Sequence, residues 1–238
     1  VNHITEVSRT RLADHLYGLY CGVSFAVLVS ILTALSLLLP GLRRRRAAAG
    51  WFSRLFFRGA GIRLTVEGLE RLPYGPCVLV ANHGSYIDGV VAIAALPPEF
   101  AFVIKREMQR VPLASLLLRR LGSAFVERFD RHKGGSDTRR VWRLAATGQS
   151  LVFFPEGTFD ERRSVRPFLG GAFATAERLQ MPIVAAAIHG TREVLPSGSA
   201  RVRRHPIRFE ILGVVEPEDA RHRSRERIAQ ALGEPVAS

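Results

Sequence analysis

Cysteine is almost absent from this chain of 238 residues, which holds only Cys21 and Cys77. Two cysteines set in apolar segments give neither a disulfide framework nor zinc-finger spacing, so buried free thiols are the expectation and no oxidising compartment is implied. There is also no cluster of cysteine and histidine at ligand spacing, so no metal and no organic cofactor are implied. Acidic residues are in deficit: 34 Lys and Arg stand against 21 Asp and Glu, a formal net charge of +13. Such a balance favours anionic partners, whether nucleic acid, phosphate-bearing substrates or an anionic lipid surface. Neither an RNA-recognition nor a helix-turn-helix signature is present, so a nucleic-acid partner would rest on charge alone and is not expected. No internal repeat divides the chain, and its length suits one sizeable α/β domain with an appendage.

Charge is missing altogether from Leu16 to Leu42, where Leu, Val, Ala, Phe and Ile dominate. About 20 such residues, at about 1.5 Å each, cross the hydrocarbon of a bilayer. Residues 17–42 therefore read as a transmembrane or membrane-inserted helix preceded by a tail, 1–16. A signal peptide is disfavoured, because Asp14 and His15 precede the apolar run and Arg43, Arg44, Arg45 and Arg46 follow it. The excess of arginine after the segment predicts the remaining chain on the cytoplasmic side of the membrane, with the helix either single-pass or monotopic. Residues 43–61, in which Trp51, Phe52, Leu55, Phe56 and Phe57 interleave with Arg54 and Arg58, read as a basic and aromatic interfacial segment. An ordinary core-packed helix has the same pattern. The four arginines adjoining the apolar run are where anionic headgroups would be met.

From residue 62 to 238 short β-rich runs alternate with helical stretches. Strands are predicted at 62–66, 77–81, 100–104, 124–127, 151–154, 183–188 and 207–212, and helices at 87–96, 111–121, 137–146, 171–180 and 218–232. The fold class is α/β: a mixed, largely parallel central sheet flanked by helices, with an N-terminal membrane helix. Residues 233–238 are expected to fray.

Where the run Cys77-Val78-Leu79-Val80-Ala81 stops, Asn82-His83-Gly84-Ser85-Tyr86-Ile87-Asp88 follows. A histidine on a loop at a sheet edge, with a carboxylate five positions later on the next helix, has the parts of a general base. Asp88 accepting the Nδ1 proton of His83 would fix the tautomer and free Nε2. A surface histidine beside a helix-capping aspartate gives the same spacing.

Three further blocks occur in order: Gly122-Ser123-Ala124-Phe125-Val126-Glu127-Arg128, then Phe154-Pro155-Glu156-Gly157-Thr158, then Met181-Pro182-Ile183-Val184-Ala185-Ala186-Ala187-Ile188 with Gly190-Thr191-Arg192. Together with the first block, and with Lys105 ending the run Phe102-Val103-Ile104, the sequence resembles the glycerolipid acyltransferases typified by lysophosphatidic acid acyltransferase. The resemblance covers roughly residues 60–215.

It implies an acyltransferase domain over 62–238 that moves a fatty acyl group from acyl-CoA or acyl-ACP, as co-substrate, to the hydroxyl of a lysophospholipid. It makes His83 the base and Asp88 its orienter. Arg128 becomes the ligand of the acceptor's phosphate, which a guanidinium grips with two parallel bonds, although pairing with Glu127 or Asp130 is its alternative. Glu156 contacts the acceptor or organises the pocket, with Gly157 and Thr158 beside it, and Lys105 meets a phosphate of the donor or acceptor or is simply solvated. Ser85 is a substrate-side candidate that also suits a helix N-cap, and nothing predicts an acyl-enzyme through it. Backbone N–H groups near Gly157, or at the start of the helix after Ser85, are candidates for the oxyanion.

The sequence departs from the family pattern in three places. Phe159 and Asp160 stand where arginine or serine is common, Phe168-Leu169-Gly170-Gly171 lacks the usual lysine, and Ala185 replaces a common proline. The first opens acceptors other than 1-acylglycerol-3-phosphate, such as a lyso-aminolipid. A non-catalytic, membrane-tethered lipid-binding module is the alternative of another class. The expected partners are an anionic phospholipid membrane, the lysophospholipid and the acyl donor.

Overall fold

The computed structural model describes residues 2–127 and 134–237. Its strands are β1 Leu64–Glu67, β2 Val78–Ala81, β3 Phe100–Lys105, β4 Ala124–Val126, β5 Ser150–Phe153, β6 Ile183–His189 and β7 Ile207–Val215. Its helices are α1 Asn2–Leu38, α2 Leu42–Gly59, α3 Asp88–Ala95, α4 Pro112–Arg120, α5 Gly134–Ala145, α6 Gly171–Leu179, α7 Thr191–Val194 and α8 Ala220–Leu232. The strands form one seven-stranded sheet in the order β1-β7-β6-β2-β5-β3-β4. From β6 to β4 neighbours run parallel, whereas β7 is antiparallel to β6 and carries β1 parallel to itself. The sheet is thus mixed and largely parallel, as the sequence predicts.

Helices cover both faces, which is why β2 and most of β6 are continuous apolar runs and not alternating ones. Leu79, Ala81, Val184, Ala186 and Ile188 meet Phe56, Phe57, Val91 and Ala92 on one side. Val78, Val80, Ala185 and Ala187 meet Phe168, Ala172, Ala176 and Ile228 on the other. Ala185 is fully buried beside a register shift between β6 and β7. Because β6, β2, β5, β3 and β4 share one direction, the loops that leave their C-terminal ends gather along a single edge, the usual place for a site in such sheets.

The N-terminal helices differ from the sequence expectation in three respects. First, α1 begins at Asn2, so most of the stretch read as a tail continues the helix; neither glycine nor proline interrupts it before Gly18. Second, α2 is core-packed along one side, with Phe56 and Phe57 buried, while Trp51 and Leu55 stay exposed. Its buried side is the core packing that its pattern allowed.

Third, the four arginines do not form one exposed cluster. Arg46 is buried, and its guanidinium donates to the carbonyls of Leu121, Pro98 and Glu99 and to Gln149 Oε1 at 2.8, 3.3, 3.5 and 2.6 Å. Burial pulls its pKa down to about 10, opposed by Glu99. Arg43 pairs with Glu99 at the surface, and Arg45 donates to Leu39 O. Arg46 is a rivet between α2 and the loops around β3, β4 and β5, placed there because helix ends and turns leave carbonyls in need of donors. The stretch after α8 also differs from expectation: residues 234–237 do not fray but pair with Val165 through Val165 N–H to Pro235 O and Ala237 N–H to Val165 O, both 3.0 Å.

Residues 13–38 of α1 are long and apolar enough to cross a membrane, with a mean hydropathy of 2.3 over the most apolar 18 of them. The helix is nonetheless fastened to the domain at both ends. Tyr17 Oη donates to Ala60 O at 2.7 Å and Tyr20 Oη to Gly59 O at 3.0 Å, while Arg120 donates to Ser36 O at 3.1 and 2.6 Å. Between these points Leu32 packs with Ala49, Leu117 and Leu121. The opposite side of α1, including Leu19, Val23, Val27, Ile31 and Leu38, is exposed.

Arg46→Ala removes a buried fourfold donor and strands its carbonyls. Urea unfolding in detergent is expected to show a loss of about 2–4 kcal/mol; a change within about 0.5 kcal/mol, the ordinary size for a surface residue, would show that Arg46 rivets nothing.

Candidate active site

β2 ends at Ala81 inside the sheet, and the next side chain continues its ladder. Asn82 Nδ2 donates to Ile188 O at 3.0 Å, and Ile188 N–H donates to Asn82 Oδ1 at 2.7 Å. An amide side chain can copy a peptide group in this way because it carries one donor face and one acceptor face. The backbone beyond is thereby free to leave the sheet. It does so as a loop wrapped around one carboxylate oxygen: Asp88 Oδ2 accepts Gly84 N–H at 2.7 Å, Ser85 N–H at 2.8 Å and the His83 Nδ1 proton at 2.8 Å.

Asp88 is the first residue of α3 and is 0% exposed. A carboxylate buried so completely needs donors on its charge, and two of its three are backbone N–H groups that cannot act otherwise. With Oδ2 an acceptor from both, the third contact assigns the proton to Nδ1 of His83. Nε2 then carries the lone pair, and no described residue bonds it. The imidazole is 20% exposed and sits between Phe154, stacked at 4.8 Å between centroids, and Phe159, edge-on at 4.6 Å. Tyr86 closes on Phe159 at 4.8 Å.

Glu156 belongs to the turn after β5, where Gly157 N–H donates to Phe154 O at 3.1 Å and Gly157 takes a φ of 76°, a left-handed conformation that favours glycine. The turn points the Glu156 carboxylate inward. Oε1 accepts His83 N–H at 2.6 Å and Oε2 accepts Arg166 N–H at 2.8 Å. Burial pushes its pKa up to about 7, against the two N–H groups and Arg192, with Asp88 adding to the rise. Glu156 therefore braces the backbone of His83.

The remaining candidates are distributed unevenly. Lys105 is exposed at the end of β3, on the same sheet edge but two strands from β2, about 10 Å at the usual spacing. Thr158 is exposed and Gly157 buried. Ser85 is not on the open side: it is fully buried, and its hydroxyl donates to Leu195 O at 2.7 Å. It latches the loop to the end of α7, which corrects the expectation of a substrate-side hydroxyl. Arg128 lies outside the described residues. Of the oxyanion donors considered, Gly157 N–H is engaged by Phe154 O and Ile87 N–H faces Ser85 Oγ at 3.4 Å. The N–H groups of Tyr86 and Thr158 have no partner among the described residues.

Sequence reasoning missed Arg192. A Cβ placed on Gly84 would lie 2.7 Å from Arg192 Nε, so the arginine stem rests directly on the loop that carries His83. It also missed the aromatic walls, although Phe159 had been visible as a departure from the family pattern. Asp160 accepts Arg166 Nη1 at 2.6 Å and Arg162 N–H at 2.9 Å, and these bonds and cations hold its carboxyl below the usual range. Arg163 pairs with Glu193 at 2.9 Å. Among the described residues no group of three or more His, Cys, Asp or Glu is placed to hold a metal.

A family model described as Acyltransferase matches residues 63–189. The chain is 29% identical over 205 residues to a chloroplastic 1-acyl-sn-glycerol-3-phosphate acyltransferase of Brassica napus, covering 82% of this chain and 58% of that protein. It is 31% identical over 191 residues to the 1-acyl-sn-glycerol-3-phosphate acyltransferase beta of Homo sapiens, covering 76% and 66%. It is 32% identical over 161 residues to a lyso-ornithine lipid O-acyltransferase of Pseudomonas aeruginosa, covering 66% and 58%. The chain thus spans 58 to 66% of the length of these relatives. A crystal structure of the 1-acyl-sn-glycerophosphate acyltransferase from Thermotoga maritima superposes with a TM-score of 0.79 at 22% identity, covering 93% of this chain and 95% of that one, a likeness of fold.

The raised pKa of Glu156 has a sign for stability. A carboxyl whose folded value lies above its ordinary 4.5 favours the fold while protonated, and that contribution is lost as pH rises through about 7. Glu156→Gln does not titrate, so its thermal midpoint is expected to gain on the wild type between pH 5 and pH 8. A gap that stays constant over this window would mean that Glu156 is ionised throughout.

Proposed function

This chain belongs to the acyltransferase family typified by 1-acyl-sn-glycerol-3-phosphate acyltransferase, and from that premise we propose that it is a membrane-bound O-acyltransferase acting on lysophospholipids. The donor is a thioester, acyl-CoA or acyl-ACP, and the first-choice acceptor is 1-acylglycerol-3-phosphate, giving phosphatidic acid. One observation carries the reading: His83 has its Nδ1 proton committed to a fully buried Asp88 and its Nε2 edge open.

In the reaction Nε2 removes the proton of the acceptor hydroxyl as its oxygen attacks the thioester carbonyl. The imidazolium that forms is stabilised by Asp88, whose oxygen already faces Nδ1. Collapse of the tetrahedral intermediate breaks the C–S bond, and the thiolate takes the proton back from Nε2. The free N–H groups of Tyr86 and Thr158 flank His83 in sequence and in the adjoining turn, and are the donors best available to the oxyanion. Arg128 and Lys105 are proposed for phosphate groups. No cofactor enters these steps.

A second acceptor is favoured by a specific observation. Phe159 replaces a cation, and Asp160 draws Arg162 and Arg166 to itself, leaving the loop after Glu156 less suited to a phosphate and better suited to an amine-bearing lysolipid. One relative of similar identity is named for a lyso-ornithine lipid.

Membrane attachment is proposed to be monotopic. The span of α1 from Tyr17 to Ser36, about 30 Å long, is held against the domain at both ends, so a helix upright in the bilayer would carry the domain in with it. Lying in the interface, α1 offers its exposed apolar side to lipid, with Trp51 and Leu55 of α2 beside it. The catalytic domain is placed on the cytoplasmic side.

Thiol release from oleoyl-CoA by detergent-solubilised protein is expected to require an acceptor, and His83→Ala should lower the turnover about 10²–10⁴-fold. Retained turnover in that variant would remove His83 as the base. A panel of lysophosphatidate and lyso-ornithine lipid identifies the acceptor by its kcat/KM. Replacing both Val23 and Ile31 by Asp is expected to abolish co-flotation with anionic vesicles; unchanged flotation would place the membrane contact elsewhere.

A further inference from the structure

The segment leading from β6 into α7 holds the catalytic loop at three points. Ile188 bonds Asn82, Leu195 bonds Ser85, and Arg192 lies against Gly84. Arg192 is itself held from outside this layer. Its Nη1 donates to Glu234 Oε1 at 2.5 Å, with the two side chains 17% and 18% exposed. Arg192 Nε and Glu234 Oε2 are both buried without a hydrogen-bond partner among the described residues, so the pair is joined through one of the two bonds available to a guanidinium and a carboxylate.

Glu234 opens the short segment that follows α8. Pro235 and Ala237 bond Val165, and Arg225 ties the Val165 and Ala237 carbonyls together. The residue after Val165 is Arg166, whose N–H occupies the second oxygen of Glu156. One segment, 234–237, therefore reaches the backbone of His83 by two routes. The first runs through Arg192 onto Gly84, and the second through Val165 and Arg166 to Glu156, which accepts His83 N–H.

We infer that the Glu234–Arg192 pair is a positioning device for the transfer, fixing the His83–Gly84 backbone and with it the direction of the Nε2 lone pair. The inference rests on the reading of His83 as the base. Packing alone does not account for the pair. Two apolar side chains would fill the same volume without the desolvation cost of burying opposite charges, and Arg192 also constrains position 84 to a residue without a side chain. The guanidinium acts on two carboxylates: it is bonded to Glu234 and its charge draws the Glu156 pKa down, an effect that the negative charge of Glu234 offsets. Glu156 is faced by Arg192, by Asp88 and by the N–H groups of His83 and Arg166. Its ionised form accepts both N–H groups at full strength, whereas protonation weakens the bond at the oxygen that takes the proton.

The test compares Glu234→Gln, Arg192→Gln and Arg192→Lys with wild type and His83→Ala, measuring thiol release over pH 5.5–9 and thermal midpoints for the full chain in detergent. Both glutamine variants are expected to lose about tenfold in kcat, as loosened positioning does, with both KM values within about twofold. The acid limb of the profile should move in opposite directions: down in Glu234→Gln, where the negative charge that offsets Arg192 is removed, and up in Arg192→Gln, where Glu156 loses its cation. Arg192→Lys keeps the charge and should keep the limb. Should Arg192→Gln fail to fold, the downward limb in Glu234→Gln and the retained limb in Arg192→Lys decide the matter. Limbs that stay put or move together overturn the inference, as does an unchanged kcat. A rise confined to acceptor KM also overturns it, since that would make Arg192 a binding residue. Full turnover in His83→Ala would instead fail the reading of the base.

Discussion

A single carboxylate oxygen, Oδ2 of Asp88, closes the loop on which this site depends. It accepts two backbone N–H groups and the Nδ1 proton of the histidine. Removing the charge would release three donors at once, in a place where nothing else can receive them. Because α3 starts at Asp88 itself, the oxygen lies at the positive end of the helix as well as among the donors. The position of the histidine and the start of the helix are thus one event in the chain. That is why five residues of spacing suffice to build both.

The sheet supplies what the loop cannot. Parallel direction in β2 and β5 brings two turns to the same edge, so the backbone of His83 meets the carboxylate of Glu156 although 73 residues separate them. Burial holds the pKa of Glu156 up at about 7 in spite of its two backbone bonds, which makes it a costly brace and ties the backbone geometry of His83 to pH. The other side of the loop leans on β6 and α7. Three of the four blocks that mark the family in sequence are, in space, the loop and its props.

Much of this was legible. Strand and helix positions follow from apolar periodicity, since a sheet covered on both faces demands continuous runs in β2 and β6 and leaves turns to mark their ends. His83 and Asp88 could be paired because their contact is local. What stayed hidden is non-local. Nothing near Arg192 or Glu234 in sequence announces a partner 42 residues away, and a segment of Gly, Glu and Pro after a helix reads as an end that frays until Val165 is seen to bond it. Arg46 misled for a related reason: a run of like charges reads as a solvated surface, while one of its members is turned inward to carbonyls that only the fold creates. Ser85 looked available because it followed the histidine, and Leu195 had already taken its hydroxyl.

Phe154 and Phe159 lie against the imidazole of His83, and Tyr86 backs Phe159. A base able to activate an alcohol is equally able to activate water, and beside a thioester that means hydrolysis. Rings on either side narrow the approach to the imidazole, and if His83 is the base as proposed, an acceptor hydroxyl tethered to its own acyl chain has the advantage there over a solvent molecule. On the proposed reaction, the residue that departs from the family pattern at position 159 would thereby help set how often a donor is wasted.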